Sequence, residues 1–367
     1  MVMRPLIITA LYPPAVGGAA SYFRDITAQL IQHQEIEKLT ILSEQMPGEP
    51  TQFKKGKLQL HRLLPNRIST KKRSWFFHAV SYVQTQLWFA VYLPHFVRKH
   101  EIDIIHYHTR HRGRLFHQAL QRSHVPIVAD LRDKMSNPQQ LIGHVDRLLC
   151  CAEGVKNFAV SGGFPAEQIN LIHIPLQKPI LPSTKQIISI LSQYNLENKS
   201  YLLFVGDITF NKGVYELLEA FGHWRKKHPQ VSLVLVGINR EGESFTKTVD
   251  GLEEVMYLGS VPHQTVMVLM HRAEIVILPS RSEGLPTVII EAIAIGTKVI
   301  APPNIPEFER LIPEFVLSEI TVEAIIKQLH AVYYSDVIPT YQFEPHQINH
   351  VVDQLLVLWN HITGIKE

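Results

Sequence analysis

The chain has 367 residues, 46% of them apolar and 19% charged, with a formal net charge of +3. That is a globular composition with material for two cores, and it excludes a polycation whose whole surface binds nucleic acid. Its two cysteines, Cys150 and Cys151, are adjacent, which excludes a disulfide framework and suits a reducing, cytoplasmic setting.

In chain order, the first apolar run, Leu6–Ala10, is too short for a signal-peptide core and is followed by Pro13-Pro14 and Gly17-Gly18. It reads as the first strand of a sheet. Further β-branched runs predict strands at Leu39–Leu42, Ile102–His106, Pro126–Ala129, Arg147–Cys151 and Ile169–Ile174, with helices over Ala20–His33 and Trp75–His100. The segment Trp75 to Val97 is apolar, but it carries His78, Gln84, Gln86, Pro94 and His95, so it is not read as a membrane span. Pro175, Pro179 and Pro182 mark an extended linker.

A second alternation follows. Strands are predicted at Tyr201–Val205, Ser232–Val236, Val255–Tyr257, Ile275–Leu278, Lys298–Ala301 and Glu314–Val316, and helices at Val214–His228, His263–Met270, Val288–Ala294 and Val322–Val332. Strand–helix alternation implies an α/β fold with mainly parallel sheets and right-handed crossovers. The domains are placed at residues 1–178 and 185–340, with a last amphipathic helix over His346–His361, inside a terminal segment 344–367.

Three stretches carry chemistry. After the first strand, Gly17-Gly18 and the start of a helix offer main-chain N–H groups to an anion, or simply make a tight turn. After Tyr201–Val205, Lys212 sits at a strand-to-helix junction, where a lysine can reach a diphosphate or stay solvated. The third is Leu278-Pro279-Ser280-Arg281-Ser282-Glu283-Gly284-Leu285-Pro286-Thr287, followed by Glu291 about one turn inside a helix. Helical side chains lean towards the helix N-terminus, so Glu291 and Glu283 point to one place. Carboxylates accept hydrogen bonds from sugar and ribose hydroxyls, and helix N-terminal amides suit a diphosphate. The plainer alternative is two surface glutamates, one of them capping the helix.

Two clusters are less specific. His106, His108, His111 and His117 lie near a strand end; no cysteine or paired carboxylate completes a metal site there, and His106 and His108 are candidates for acceptor contacts. Residues 54–77 hold eight lysines and arginines beside Trp75-Phe76-Phe77. Such a patch suits an anionic membrane surface; no nucleic-acid recognition motif accompanies it.

On these motifs the chain resembles the family 4 retaining glycosyltransferases of the GT-B fold: Glu283 and Glu291 in their Glu-x7-Glu spacing, Lys212-Gly213, Gly17-Gly18, Asp103-Ile104-Ile105-His106-Tyr107-His108 and Pro306-Glu307-Phe308. The resemblance implies two Rossmann-like domains facing each other across a cleft, the first binding acceptor and the second a nucleotide sugar, with the last helix packing back on the first. It implies that Glu291 binds the donor ribose, Glu283 the donor sugar near its anomeric carbon, and Lys212 the leaving diphosphate. Main-chain amides at Gly17, Gly18, Gly284, Leu285 and Thr287 would complete the cradle; Pro286 has no N–H to give. No metal or other cofactor is implied.

The expected activity is sugar transfer, with retention, to a glycan or lipid-linked acceptor in cell-envelope or surface polysaccharide synthesis. The expected location is cytoplasmic, peripheral on the inner membrane face. The chain departs from the family pattern at Arg132-Asp133 (His-Asp), Gly206-Asp207 (Gly-Arg) and Pro175-Leu176 (Asn-Gly). Arg132 or Arg281 is the expected replacement for the lost charge, Arg132 being the catalytic candidate. A non-catalytic GT-B protein that binds a nucleotide sugar or a partner transferase is the competing class, with an epimerase or phosphorylase as a third.

Overall fold

The computed structural model describes residues 2–15, 18–65, 75–111, 113–134, 136–252 and 254–364, and the main chain alone of 75–78. The chain divides into two compact units: Met1–Gln177 with Glu344–Glu367, and Lys178–Phe343.

Unit 1 runs β1 (Pro5–Thr9), α1 (Gly18–Leu30), β2 (Leu39–Glu44), β3 (Gln52–Lys55), β4 (Leu58–Leu64), α2 (Trp75–Lys99), β5 (Ile104–His108), α3 (Arg114–Gln121), β6 (Ile127–Leu131), β7 (Arg147–Cys150), α4 (Glu153–Ser161) and β8 (Ile169–Leu171). Its sheet has the order β3-β4-β2-β1-β5-β6-β7-β8. All pairs are parallel except β3 with β4. β1, β2, β5 and β6 are buried along their whole length, so they read as largely apolar on both faces rather than alternating, and polar members such as His106, His108 and Asp130 are buried with them.

Unit 2 runs α5 (Thr184–Gln193), β9 (Ser200–Val205), α6 (Val214–Arg225), β10 (Val231–Val236), α7 (Glu243–Asp250), β11 (Val255–Tyr257), α8 (His263–Arg272), β12 (Ile275–Ile277), α9 (Thr287–Ala294), β13 (Lys298–Ile300), α10 (Pro306–Leu311) and α11 (Val322–Tyr333). Its sheet is all parallel, in the order β11-β10-β9-β12-β13. The last helix, α12 (Ile348–Thr363), belongs to unit 1. There Val351, Val352, Leu355, Leu356 and Trp359 share one core with Tyr22, Phe23 and Ile26 of α1.

The differences from the sequence reading have local causes. The β3–β4 hairpin has no counterpart among the predicted strands. β3 is an exposed edge strand, and lysine is a common edge residue because it discourages further pairing. Gly56, at φ +57°, makes the turn. The strand expected at Glu314–Val316 is a 3₁₀ turn over Pro313–Phe315, and only a single bridge joins Val316 to Ala301. β5 and β6 end two residues later than predicted, which brings His108 and Asp130 into the sheet as register partners. Among the described residues, no helix is long and apolar enough to cross a membrane.

Candidate functional site

In each sheet the chain winds one way, returns, and continues on the other side of its first strand. In unit 2 that reversal lies between β9 and β12. Loops leaving the carboxyl ends of the two strands at such a switch point flank a crevice. They are residues 206–213 after β9 and residues 278–286 after β12. Topology alone therefore puts the Lys212 loop beside the Glu283 loop.

Local bonds fix the distance between them. Arg281 N–H donates to the Asn211 carbonyl at 2.9 Å. The Arg281 guanidinium donates to the Phe210 carbonyl at 2.8 Å, pairs with Glu216 of α6 at 2.5 Å and lies over the Phe210 ring. Gly213 adopts φ +67°, and a Cβ there would run into the Pro279 carbonyl. Glycine is the residue that permits both the left-handed conformation and this close approach.

The result is that Lys212 Nζ meets Glu283 Oε1 at 2.5 Å, with both side chains part-exposed. Glu291, on the first turn and a half of α9, lies 3.4 Å from His263 Nε2 at the start of α8. Pro286 precedes α9, whose first N–H groups have no carbonyl within the helix to bond. Leu285 is buried and anchors the loop, while Gly284 and Thr287 are part-exposed. Asp207, after β9, accepts a hydrogen bond from Arg240 Nε at 3.1 Å. Arg240 is held there because the loops after β9 and β10 continue to pair: Ile208 N–H donates to Ile238 and Arg240 N–H to Ile208.

Unit 1 gathers a different set. His106 and His108 face α1 from β5, their rings near Phe23. His106 Nε2 is 3.4 Å and Arg132 Nη1 is 3.5 Å from Asp130 Oδ2, which are ion-pair rather than hydrogen-bond distances. The Arg132 guanidinium stacks on Tyr22 of α1, 3.3 Å from the ring centre. Asp130 and Arg132 are almost fully buried. Burial alone would push the Asp130 carboxyl up, but Arg132 and His106 outweigh it and hold it below its ordinary value. Burial pushes His108 down to about 4, so its ring is neutral at pH 7.

Lys212 and Glu283 thus meet in unit 2, Gly284 and Leu285 follow Glu283 on its loop, Thr287 opens α9, and Glu291 within α9 contacts His263, whereas Arg132, His106 and His108 form a separate cluster in unit 1. Gly18 opens α1, and Gly17 lies outside the described residues. Among the described residues no group of three histidine, cysteine or acidic side chains could hold a metal ion. Sequence reasoning missed Asp130, Arg240 and His263. Asp130 was legible in principle, since it stands two residues before Arg132 in an apolar run, where a lone carboxylate needs a partner.

Residues 188–327 match the sequence profile of the family described as Glycosyl transferases group 1. Among curated relatives, an uncharacterized glycosyltransferase of Haemophilus influenzae is 30% identical over 165 residues, 44% of each chain, so the match spans under half of that relative's length. The sucrose-phosphate synthase of Thermosynechococcus elongatus superposes with a TM-score of 0.76 at 15% identity, covering 99% of this chain and 100% of that one. Anabaena HepE, solved in complex with UDP and glucose, superposes with a TM-score of 0.67 at 17% identity over 98% of this chain and 100% of that one. The fold is therefore GT-B, and the stretch that carries Lys212, Glu283 and Glu291 is the part that matches the Glycosyl transferases group 1 profile.

Proposed function

We propose that the chain transfers a sugar from a nucleotide-sugar donor to a hydroxyl group of an acceptor, with retention at the anomeric carbon. The observation that carries this reading is the Lys212–Glu283 pair at the switch point of unit 2, beside the start of α9. Each partner satisfies the other without a ligand, and a nucleotide sugar supplies a better partner for both. Its diphosphate draws Lys212 away, and its sugar hydroxyls donate to the carboxylate that Lys212 leaves.

The other roles follow. Glu291, close to His263 and part-exposed, accepts from the ribose hydroxyls. The N–H groups of Gly284, Leu285 and Thr287 and the N-terminal end of α9 face the diphosphate. In the transfer, the bond from the anomeric carbon to the diphosphate oxygen breaks and the bond to the acceptor oxygen forms on the same face. The acceptor's proton passes to the departing diphosphate. Lys212 and the helix amides stabilise the charge that develops there, so the reading asks for no resident cofactor.

Arg281 is committed to Glu216 and the Phe210 carbonyl, and Arg132 to Asp130 and Tyr22. We therefore assign the charge lost at Asp207 to Arg240, which Asp207 holds in place, and give Arg132 a positioning role. His106 and His108 stay in the reading as groups beneath the acceptor loops. A cell-envelope or surface glycan, lipid-linked during synthesis, is the proposed acceptor. The test is nucleoside diphosphate release from a panel of nucleotide sugars, with and without membrane lipid. Release that Glu283→Gln abolishes supports the reading; binding with no release under any condition would favour the non-catalytic one.

A further inference from the structure

The helix α2 is built the wrong way round for a surface helix. Its inward face holds Phe89, Leu93 and Val97, but also buries Thr85 and Gln86. Gln86 Oε1 accepts the Phe116 N–H at 3.2 Å, so that polar group is committed to α3. The outward face carries an exposed stripe of Val80, Val83, Leu87 and Val91 at helical spacing, the last 63% exposed. A helix that is apolar on both sides is normally covered on both.

The charges around the stripe say what covers it. No aspartate or glutamate occurs from residue 51 to residue 100, a stretch with ten lysines and arginines, of which Arg67, Lys71, Lys72 and Arg73 lie outside the described residues and Arg62 is buried beside Glu49. Lys54 and Lys55 on β3, and Arg98 and Lys99 at the end of α2, are exposed. Between stripe and hairpin lies a groove of about 250 Å³ lined by His61, Trp88, Tyr92, Phe96, Lys99 and His100. Phe53, next to Lys54, is exposed as well.

We infer that this face of unit 1, α2 with the β3–β4 hairpin, lies on an anionic lipid bilayer. The stripe would enter the headgroup boundary, with Trp88 and Tyr92 at the level where interfacial aromatics settle and the lysines among lipid phosphates. A second copy of this chain would bring the same cations against themselves. A nucleic acid would use the cations but leave the aliphatic stripe uncovered. The sequence alone points to a membrane surface at residues 54–77; of that stretch, residues 66–74 lie outside the described residues and 75–77 are described in their main chain alone. The described part of the face shifts the assignment to the outward side of α2.

The test is co-sedimentation of the full chain with phosphatidylcholine vesicles, with and without phosphatidylglycerol, beside sedimentation velocity without lipid. The wild type should pellet with the anionic vesicles and stay in solution with the neutral ones. Val83→Glu with Leu87→Glu should lower partitioning at least about tenfold with the melting temperature unchanged. Lys54→Glu with Lys55→Glu should lower it by about fivefold for each cation removed, and less in high salt. Equal pelleting with both vesicle types, no pelleting at all, or unchanged partitioning of the Val83/Leu87 variant would overturn the inference. So would a wild-type dimer that the same variant converts to monomer, which would make the face a self-association surface.

Discussion

In unit 1, charge at the carboxyl ends of the strands is sealed: Asp130 is 1% and Arg132 10% exposed, and both sit under α1. In unit 2, Lys212 is 25% and Glu283 13% exposed, and both hang from loops at the sheet's switch point. The same chemistry, a cation beside a carboxylate, does different work in the two places. A sealed pair must keep its partner, because an uncompensated charge in the core costs more than the pair contributes. A pair at the rim can exchange its partner for a ligand at little cost. The contrast is one of burial, not of residue type.

The largest expected effects test that contrast directly. Glu283→Gln should lower donor turnover on the order of 10²–10³-fold while leaving thermal stability close to wild type. Asp130→Asn should do the reverse to stability, costing about 3 kcal/mol or more in chemical denaturation, because Arg132 stays buried without a counter-charge. If Glu283→Gln unfolds the protein instead, the rim pair is structural and the contrast fails.

Acid should separate the units next. Burial pushes His61, His108, His117 and His346, all in unit 1, down to about 4. Their ordinary value is near 6.5, so between pH 6.5 and 4 the unfolded chain takes up protons that the folded unit refuses. The stabilisation is complete above pH 6.5 and is lost as pH falls through that window. Hydrogen exchange at pH 7 and pH 5 should show unit 1 losing protection while unit 2 keeps it; equal loss in both would contradict this.

Smaller effects sharpen the picture of the rim. Gly213→Ala combines a strained φ with a clash against the Pro279 carbonyl, so it should cost more than about 1 kcal/mol in stability and raise the donor KM. Arg240→Ala removes an exposed ion pair and should cost under about 1 kcal/mol in denaturation. Its donor KM should still rise several-fold; an unchanged KM would remove Arg240 from the donor site.

The elements that sequence reasoning located best are the buried parallel strands. A strand covered on both faces needs apolar side chains at most positions, and the runs beginning at Leu6, Tyr201, Leu233 and Ile275 show that directly. The hairpin β3–β4 escaped because an exposed edge strand has no such requirement and its lysines look like loop residues. At the site, Glu283, Glu291 and Lys212 were legible because each lies at a fixed offset from a strand end or a helix start. Arg240 and His263 were not picked out, because their partners lie 33 and 28 positions away in the chain: Arg240 finds Asp207 and His263 finds Glu291. Asp130 finds His106 from 24 positions away, besides its near neighbour Arg132.

The sequence by itself determined that this chain is a two-part α/β protein, and which short stretches present carboxylates, a lysine and helix amides. Those properties are local, written in hydrophobic runs and in the spacing of residues along one strand–loop–helix. Tertiary structure alone decided which charges are sealed and which can change partners. It also decided that Lys212 meets Glu283, that Arg281 is spent on Glu216, and that α2 turns an aliphatic face outward. Burial and pairing are sums over neighbours that sheet order brings together, and sheet order is set by the packing of the whole unit rather than by any one segment.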